Sequence, residues 1–142
     1  MPNGDLKALT ERHIDVFNRH DPVQLALDHT PDGVVASPMF GTVRGRAAIE
    51  ETYRVFLTSF PDATITIETT VVDAPRIALF LTIKATHAGE FYGLSATHKH
   101  IQVPMARLVT FEGDLIAHER RIYDFTGLLV QVGVLRAKPV SR

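Results

Sequence analysis

The apolar positions of the first half of the chain recur at helical spacing. This pattern predicts a first helix over residues 5–20 and a short second helix over residues 22–30. A third helical stripe covers residues 46–60 and stops before Pro61. Between the second and third helices, residues 33–37 predict a short strand. The N-terminal half is therefore expected to be mostly helical.

After Pro61 the period of the apolar positions changes to two, which is typical of strands. Four long strands are predicted, and tight turns join the first to the second and the third to the fourth. They cover residues 63–72, 76–86, 98–111 and 115–124. A longer loop with two glycines is expected between the second and third of these strands, and a short helix over residues 125–134.

Helices followed by long antiparallel strands predict one α+β domain over residues 1–142, with a curved sheet wrapped around helices on one side. Such a sheet leaves a cone with an apolar pocket for a small hydrophobic molecule. Its outer face needs cover, so we expect a homodimer. The apolar residues of the third strand expected to need that cover are Ile101, Val103, Met105 and Val109.

Composition narrows the function classes. The chain has 15 basic and 16 acidic residues and a formal net charge of −1, which gives no basic footprint for nucleic acid or an anionic membrane. It has no cysteine, so thiolate chemistry and disulfides are excluded. No leader and no apolar run long enough for a membrane helix is seen. A cytoplasmic protein without nucleic-acid or membrane partners is expected.

The last predicted strand carries the candidate chemistry. Strict alternation places His118, Arg120 and Asp124 on one face, with Ile116 and Ile122. Burial in an apolar cavity disfavours the charged form of a carboxylate, which lets it act as a general acid or base near neutral pH. Asp124 is the candidate for this role, and His118 for orienting a carbonyl or moving a proton. The alternatives are a helix cap at Asp124 and a histidine at the sheet rim.

The C-terminal motif resembles the signature of the SnoaL-like polyketide and ester cyclases. It consists of an acidic-glycine turn at residues 112–114, a strand, Asp124, and a helix with the pattern Gly-Leu-Leu-x-Gln-x-Gly at residues 127–133. Residues 45–49 and 60–62 are similar to two shorter landmarks of that family. The resemblance implies a nuclear transport factor 2-like cone, commonly a homodimer packed through the outer sheet face.

The same resemblance implies an activity. Asp124 would serve as general acid/base in an intramolecular aldol cyclisation of a polyketide-type ester, without metal or cofactor. One position departs from the family pattern, because Arg120 stands where many members carry an aromatic residue. An arginine makes the pocket more polar and, if it pairs with Asp124, favours the charged carboxylate.

Other residues are expected to contact the substrate, although a purely structural role in the core is the alternative for each. His13 lies on the apolar stripe of the first helix, and Arg120 lies beside Asp124. The aromatic and sulphur-containing candidates are Met39, Phe40, Tyr53 and Phe56.

Three alternative functions stay open at this point. A limonene-type epoxide hydrolase needs two carboxylates bridged by an arginine, and Arg120 with Asp124 supplies two of these three parts. A ketosteroid-type isomerase needs an oxyanion donor such as Tyr53. A binding module would hold an apolar ligand without chemistry.

Histidine spacing raises the question of a metal. His98 and His100 share a strand face, but a site would need a third ligand such as His87 or Glu90. We expect no tightly bound metal and no cofactor.

Overall fold

Four helices and six strands make up residues 3–136, the part of the chain that the computed structural model describes. The helices are α1 (Asn3–Asn18), α2 (Pro22–Leu27), α3 (Arg46–Ser59) and α4 (Phe125–Val132). The strands are β1 (His29–Ser37), β2 (Gly41–Arg44), β3 (Thr64–Asp73), β4 (Arg76–Thr86), β5 (His100–Glu112) and β6 (Leu115–Tyr123). The predicted α+β class, the four helices and the four long strands are confirmed.

All six strands belong to one curved sheet with the order β2-β1-β6-β5-β4-β3. Neighbouring strands are antiparallel except β1 and β6, which run parallel, with Val34 opposite His118. The sheet is open, since β2 and β3 form its two edges. Strand β2 was not predicted because its four residues, Gly-Thr-Val-Arg, have no apolar alternation and are exposed or half-buried.

The core lies between the concave face of the sheet and the helices. Strand β4 sends Ile77, Leu79, Leu81 and Ile83 inward, as its apolar alternation predicts. Helix α3 contributes Ile49 and Tyr53, both buried on the side that faces the sheet. Burial of such apolar side chains contributes about 1.5–3 kcal/mol each and holds the helices in the curve of the sheet.

The outer face of the sheet differs from the sequence-based expectation. Ile101, Val103, Met105 and Val109 are buried in the core, so the prediction that they need cover was wrong. The alternation of β5 points them inward, and the opposite residue set faces out. The exposed apolar side chains of this outer face include Phe80 (51% exposed), Leu108 (40%) and Ile122 (57%).

None of the helices within residues 3–136 has the length and apolar character needed to cross a membrane.

Candidate functional site

An apolar pocket opens between the helices and the concave face of the sheet. Its walls combine helix residues with the turn between β1 and β2 and with the inward residues of β4 and β5. The volume of the pocket, with its open mouth included, is about 520 Å³. The pocket therefore has room for a small ligand. The apolar wall residues include Phe17, Met39, Phe40, Phe56, Ile83 and Val103.

One side of the pocket is polar. Tyr53 of α3 and Arg121 of β6 both line it, and a terminal nitrogen of Arg121, Nη2, donates to the Tyr53 hydroxyl oxygen at 2.6 Å. The Arg121 guanidinium carbon lies 5.2 Å from the centre of the Tyr53 ring. Burial raises the pKa of Tyr53, so its hydroxyl keeps its proton at neutral pH. Since Arg121 uses the hydroxyl as an acceptor, the Tyr53 proton is available to a ligand.

Glu119 holds this arrangement from behind. Its Oε1 accepts from Arg121 Nε at 2.9 Å and lies 3.2 Å from Arg107 Nη1. Burial alone would raise the pKa of Glu119, but Arg121 and Arg107 hold it well below its usual range. Burial and the neighbouring Arg121 lower the pKa of Arg107, whereas Glu119 raises the pKa of Arg121. One ionised carboxylate therefore stands between two guanidinium groups, each of which lines the pocket.

Two buried histidines extend the network away from the pocket. His29 Nδ1 donates to the Leu25 carbonyl oxygen at 2.8 Å, and its Nε2 lies 3.5 Å from Glu119 Oε2. His13 Nδ1 pairs with Asp28 Oδ2 at 2.6 Å, while its buried Nε2 has no hydrogen-bond partner among the described residues. Burial lowers the pKa of His13, although Asp28 opposes the shift. Burial raises and the His13 hydrogen bond lowers the pKa of Asp28, with a net lowering.

His13, His29 and Glu119 are the described residues that could hold a metal ion, because one ligand atom of each lies within 4.8 Å of the others. His13 Nδ1 bonds to the Asp28 carboxylate and His29 Nδ1 to the Leu25 carbonyl oxygen, as the second ring nitrogen of a histidine ligand does in many metal sites. Arg107 and Arg121, however, already neutralise Glu119 and would repel a divalent cation at close range. The residues fit a buried ion-pair network better than a metal centre, and the expected lack of bound metal stays a prediction.

Strand β6 presents the opposite face to the one predicted. Register with β5 shifts between Thr110, opposite His118, and Phe111, opposite Ile116, so that Ala117 is an extra residue on β6. Ile116 points inward before this bulge, and Glu119 points inward after it. His118, Arg120 and Ile122 therefore share a face as predicted, but this face is exposed. The prediction that Ile116 belongs to the same face is wrong, since Ile116 is buried.

The structure gives Asp124 a capping geometry. Its Oδ1 accepts from the Gly127 backbone N–H at 2.8 Å at the start of α4. A Cβ at position 127 would collide with this carboxylate, so a larger residue there would force the Asp124 side chain to move. Neither Asp124 nor His118 nor Arg120 is among the residues that line the pocket. The catalytic roles assigned to Asp124 and His118 stay predictions.

Four of the other five predicted substrate contacts lie at the pocket. Met39, Phe40, Tyr53 and Phe56 line it together. His13 lies in the buried histidine network instead of the pocket lining. His98 and His100 are both exposed.

Sequence reasoning missed Arg107, Glu119 and Arg121. The signal that could have found two of them is the Glu-Arg-Arg run at residues 119–121, where a carboxylate and an arginine two positions apart share a strand face. Strict alternation from Ile116 assigns this face to the outside, and no glycine or proline marks the bulge at Ala117 that turns it inward.

Comparison with known proteins identifies the family of the chain and structures of similar fold. The family model described as SnoaL-like polyketide cyclase matches residues 7–132. No curated protein sequence matches the chain significantly. Among solved structures, AclR from Streptomyces galilaeus, a candidate hydroxylase, is 25% identical with a TM-score of 0.85, covering 97% of this chain and 87% of AclR.

Two further structures match at lower identity and show the fold. IdmH from Streptomyces antibioticus, a candidate polyketide cyclase, is 23% identical with a TM-score of 0.76, covering 89% of this chain and 97% of its own. A protein from Catenulispora acidiphila with a ketosteroid isomerase-like fold is 18% identical with a TM-score of 0.76, covering 88% and 92%. The predicted nuclear transport factor 2-like fold is confirmed.

Proposed function

The chain belongs to the SnoaL-like polyketide cyclase family, and on this premise we propose that it is a cyclase-type enzyme for a small carbonyl substrate. In this proposal its own side chains stabilise the negative charge that develops on a substrate oxygen. Family membership and the fold support a cyclase-type function in general. The role of individual residues and the substrate class are the finer parts of the proposal.

The single observation that carries the proposal is the Tyr53–Arg121 pair. A buried tyrosine that keeps its proton and already accepts a hydrogen bond from an arginine is a strong donor. Placed beside apolar walls, it can stabilise an oxyanion with little reorganisation during the reaction. Glu119 fixes Arg121 from the far side and so positions the donor pair.

The proposed reaction is an intramolecular aldol addition. The carbon between two carbonyls loses a proton, and the C–H electron pair becomes the C=C bond of an enolate whose oxygen carries the charge. The enolate carbon then forms a C–C bond to the carbon of a third carbonyl group in the same molecule. The π electrons of that carbonyl move to its oxygen, which takes up a proton, so that the product is an isomer of the substrate. Tyr53 O–H donates to the oxygen that carries charge in each step.

The proton acceptor limits the class of substrate. In the described part of the chain, the pocket lining contains no carboxylate and no imidazole. A 1,3-dicarbonyl compound is acidic enough to ionise to water, so it needs an oxyanion site more than it needs a strong base. We therefore propose a polyketide-type 1,3-dicarbonyl substrate. Asp124, which directly follows the pocket residue Tyr123, remains the sequence-based candidate for a base.

The test uses nonane-2,4,8-trione, a small linear triketone in which the carbon between two carbonyls can reach the third carbonyl through a six-membered ring. Its aldol cyclisation followed by loss of water gives 2-acetyl-3-methylcyclohex-2-enone, which chromatography quantifies. We expect wild-type protein to accelerate the cyclisation and Tyr53→Phe to lose about 10²–10³-fold in rate. Tyr92→Phe is the matched control, because Tyr92 is exposed and does not line the pocket. A wild-type rate equal to that in buffer, or equal rates for wild type and Tyr53→Phe, contradicts the proposal.

A binding module without turnover is the second candidate, favoured by the lack of a carboxylate or imidazole in the lining. It predicts that the triketone binds and is released unchanged. The epoxide hydrolase alternative has less support. A limonene-type epoxide hydrolase uses two carboxylates bridged by an arginine, whereas this pocket has one carboxylate, Glu119, between two arginines.

We also propose a homodimer packed through the outer sheet face. Phe80, Leu108 and Ile122 expose apolar surface there, and exposed apolar patches of this kind mark association surfaces. Analytical ultracentrifugation at micromolar concentration should give a dimer for wild type and a monomer for Ile122→Glu. Val55→Glu on α3, which is exposed to a similar degree, should remain dimeric. A monomeric wild type contradicts this proposal.

A further inference from the structure

The polar side of the pocket has more positive than negative charge. Arg107 and Arg121 both line it, and Glu119 is the acid that pairs with them. The side chains of Arg107 and Glu119 are almost fully buried, with 3% and 1% of their surfaces exposed. Asp28, a further acid of this network, is bound to His13 and Gln24. Within residues 3–136, one positive charge at the pocket is therefore without a counter-charge.

The two arginines also have hydrogen-bond donors to spare. Arg121 uses Nε for Glu119 and Nη2 for Tyr53. Arg107 uses Nε for the Met105 sulphur at 3.2 Å, which is a weak acceptor, and places Nη1 near Glu119. A guanidinium group has five N–H donors in a planar fork. The fork of Arg107 is thus the less satisfied of the two.

An uncompensated buried charge is costly, and an anionic ligand that pairs with it removes that cost. From this charge balance we propose that the ligand of the pocket is a hydrophobic molecule with a free carboxylate, which binds at Arg107. The inference rests on the proposed function and refines it, since it selects the free acid of a polyketide-type substrate over its ester. A carboxylate matches the planar fork of an arginine, whereas an ester or amide carries no charge.

The apolar walls favour a hydrophobic group for the part of the ligand beyond its carboxylate. Phe17, Phe40 and Phe56 face the space beside the arginines, and the pocket has room for a small ligand. A single ring with one carboxylate fits these dimensions and chemistry. The formal charge of the whole chain is −1, so a preference for an anion cannot come from the overall field of the protein.

The experiment compares benzoate with benzamide, which have nearly the same shape and differ in charge. Isothermal titration calorimetry on wild-type protein should show benzoate bound at least about tenfold more tightly, the effect expected of a charge-assisted hydrogen bond. Arg107→Gln should bind both compounds with similar affinity, because Glu119 and Arg121 then balance each other. Arg107→Lys, which keeps the charge, should keep most of the preference.

Arg120→Gln is the matched control. It removes one positive charge from an exposed position outside the pocket and should leave the preference for benzoate unchanged. Circular dichroism melting checks that each variant folds. If Arg107→Gln does not fold, the comparison of wild type with Arg107→Lys still tests the inference. Equal affinity of wild type for benzoate and benzamide, or a preference that persists in Arg107→Gln, overturns the inference.

Failure of this inference is distinguishable from failure of the proposed function. If triketone turnover depends on Tyr53 but benzoate binds no better than benzamide, the cyclase proposal stands and the carboxylate assignment falls. If benzoate is preferred but triketone turnover is absent, the pocket binds acids and the cyclase proposal falls.

Discussion

Each face of the sheet departs locally from the pattern of a typical soluble domain, since the apolar inner face contains a charged cluster and the largely polar outer face contains exposed apolar side chains. The inner face carries the buried Arg107 and Glu119 and the half-buried Arg121, whereas the outer face exposes Phe80 and Ile122. Buried charges persist only where partners compensate them, and exposed apolar clusters are rare on isolated proteins. These two exceptions support the proposals that the inner face contacts a polar group of a ligand and that the outer face packs against a second copy of the chain.

The largest expected effect comes from removing the charge of Glu119, the carboxylate between the two arginines of the inner face. Glu119→Gln leaves Arg107 and Arg121 without a carboxylate, and loss of one partner from a buried pair costs about 3–5 kcal/mol in the free energy of unfolding. Urea denaturation measures the loss. Glu112→Gln on an exposed position is the control and should change stability by less than about 0.5 kcal/mol. A loss below about 1 kcal/mol for Glu119→Gln would show that the network does not depend on this charge.

The pH dependence of stability tests the inner face without removing its charge. Burial lowers the pKa of His13 below the ordinary value of 6.5, so below that pH the unfolded chain binds a proton that the folded chain does not. Stability is therefore complete above pH 6.5 and falls as pH decreases toward the folded pKa. The slope is at most about 1.4 kcal/mol per pH unit. The carboxyl pKa values of Asp28 and Glu119 lie lower and act in a more acidic range.

Urea denaturation at pH 7.5 and pH 5.5 measures this slope. His13→Asn keeps an N–H donor for Asp28 and should reduce the slope, whereas His98→Asn at an exposed position should leave it unchanged. Wild-type protein that is as stable at pH 5.5 as at pH 7.5 would contradict a buried neutral His13.

The smallest expected effect belongs to Asp124, at the boundary between the two faces. Asparagine caps helices about as well as aspartate, so Asp124→Asn should cost well under 1 kcal/mol and shift Tm by a few degrees at most. From the capping geometry we expect triketone turnover to remain within about threefold, since Asp124 does not line the pocket. A loss on the order of 10²–10⁴-fold would instead support the sequence-based assignment of Asp124 as general acid/base.

The sequence predicted the fold well because periodicity reports burial over long elements. The alternation of β4 and the stripe of α3 each specify one buried face, and Tyr53 and Phe56 follow from the latter. Strand β2 is too short for a period to be visible. On β6 two causes of error combined, since the bulge at Ala117 shifts the phase and the buried face is charged. A rule that places charge outside fails where a site requires it inside.

The central claim is that Tyr53 and Arg121 stabilise an oxyanion in the pocket, and 4-nitrophenol tests it most directly, because its phenolate absorbs visible light and the phenol does not. At a pH one unit below the solution pKa of the phenol, adding wild-type protein should increase phenolate absorbance to a saturating value, since the pocket favours the anion. Tyr53→Phe should give a clearly smaller increase, and Tyr92→Phe the full one. No increase with wild-type protein, or the same increase with Tyr53→Phe, would contradict the account.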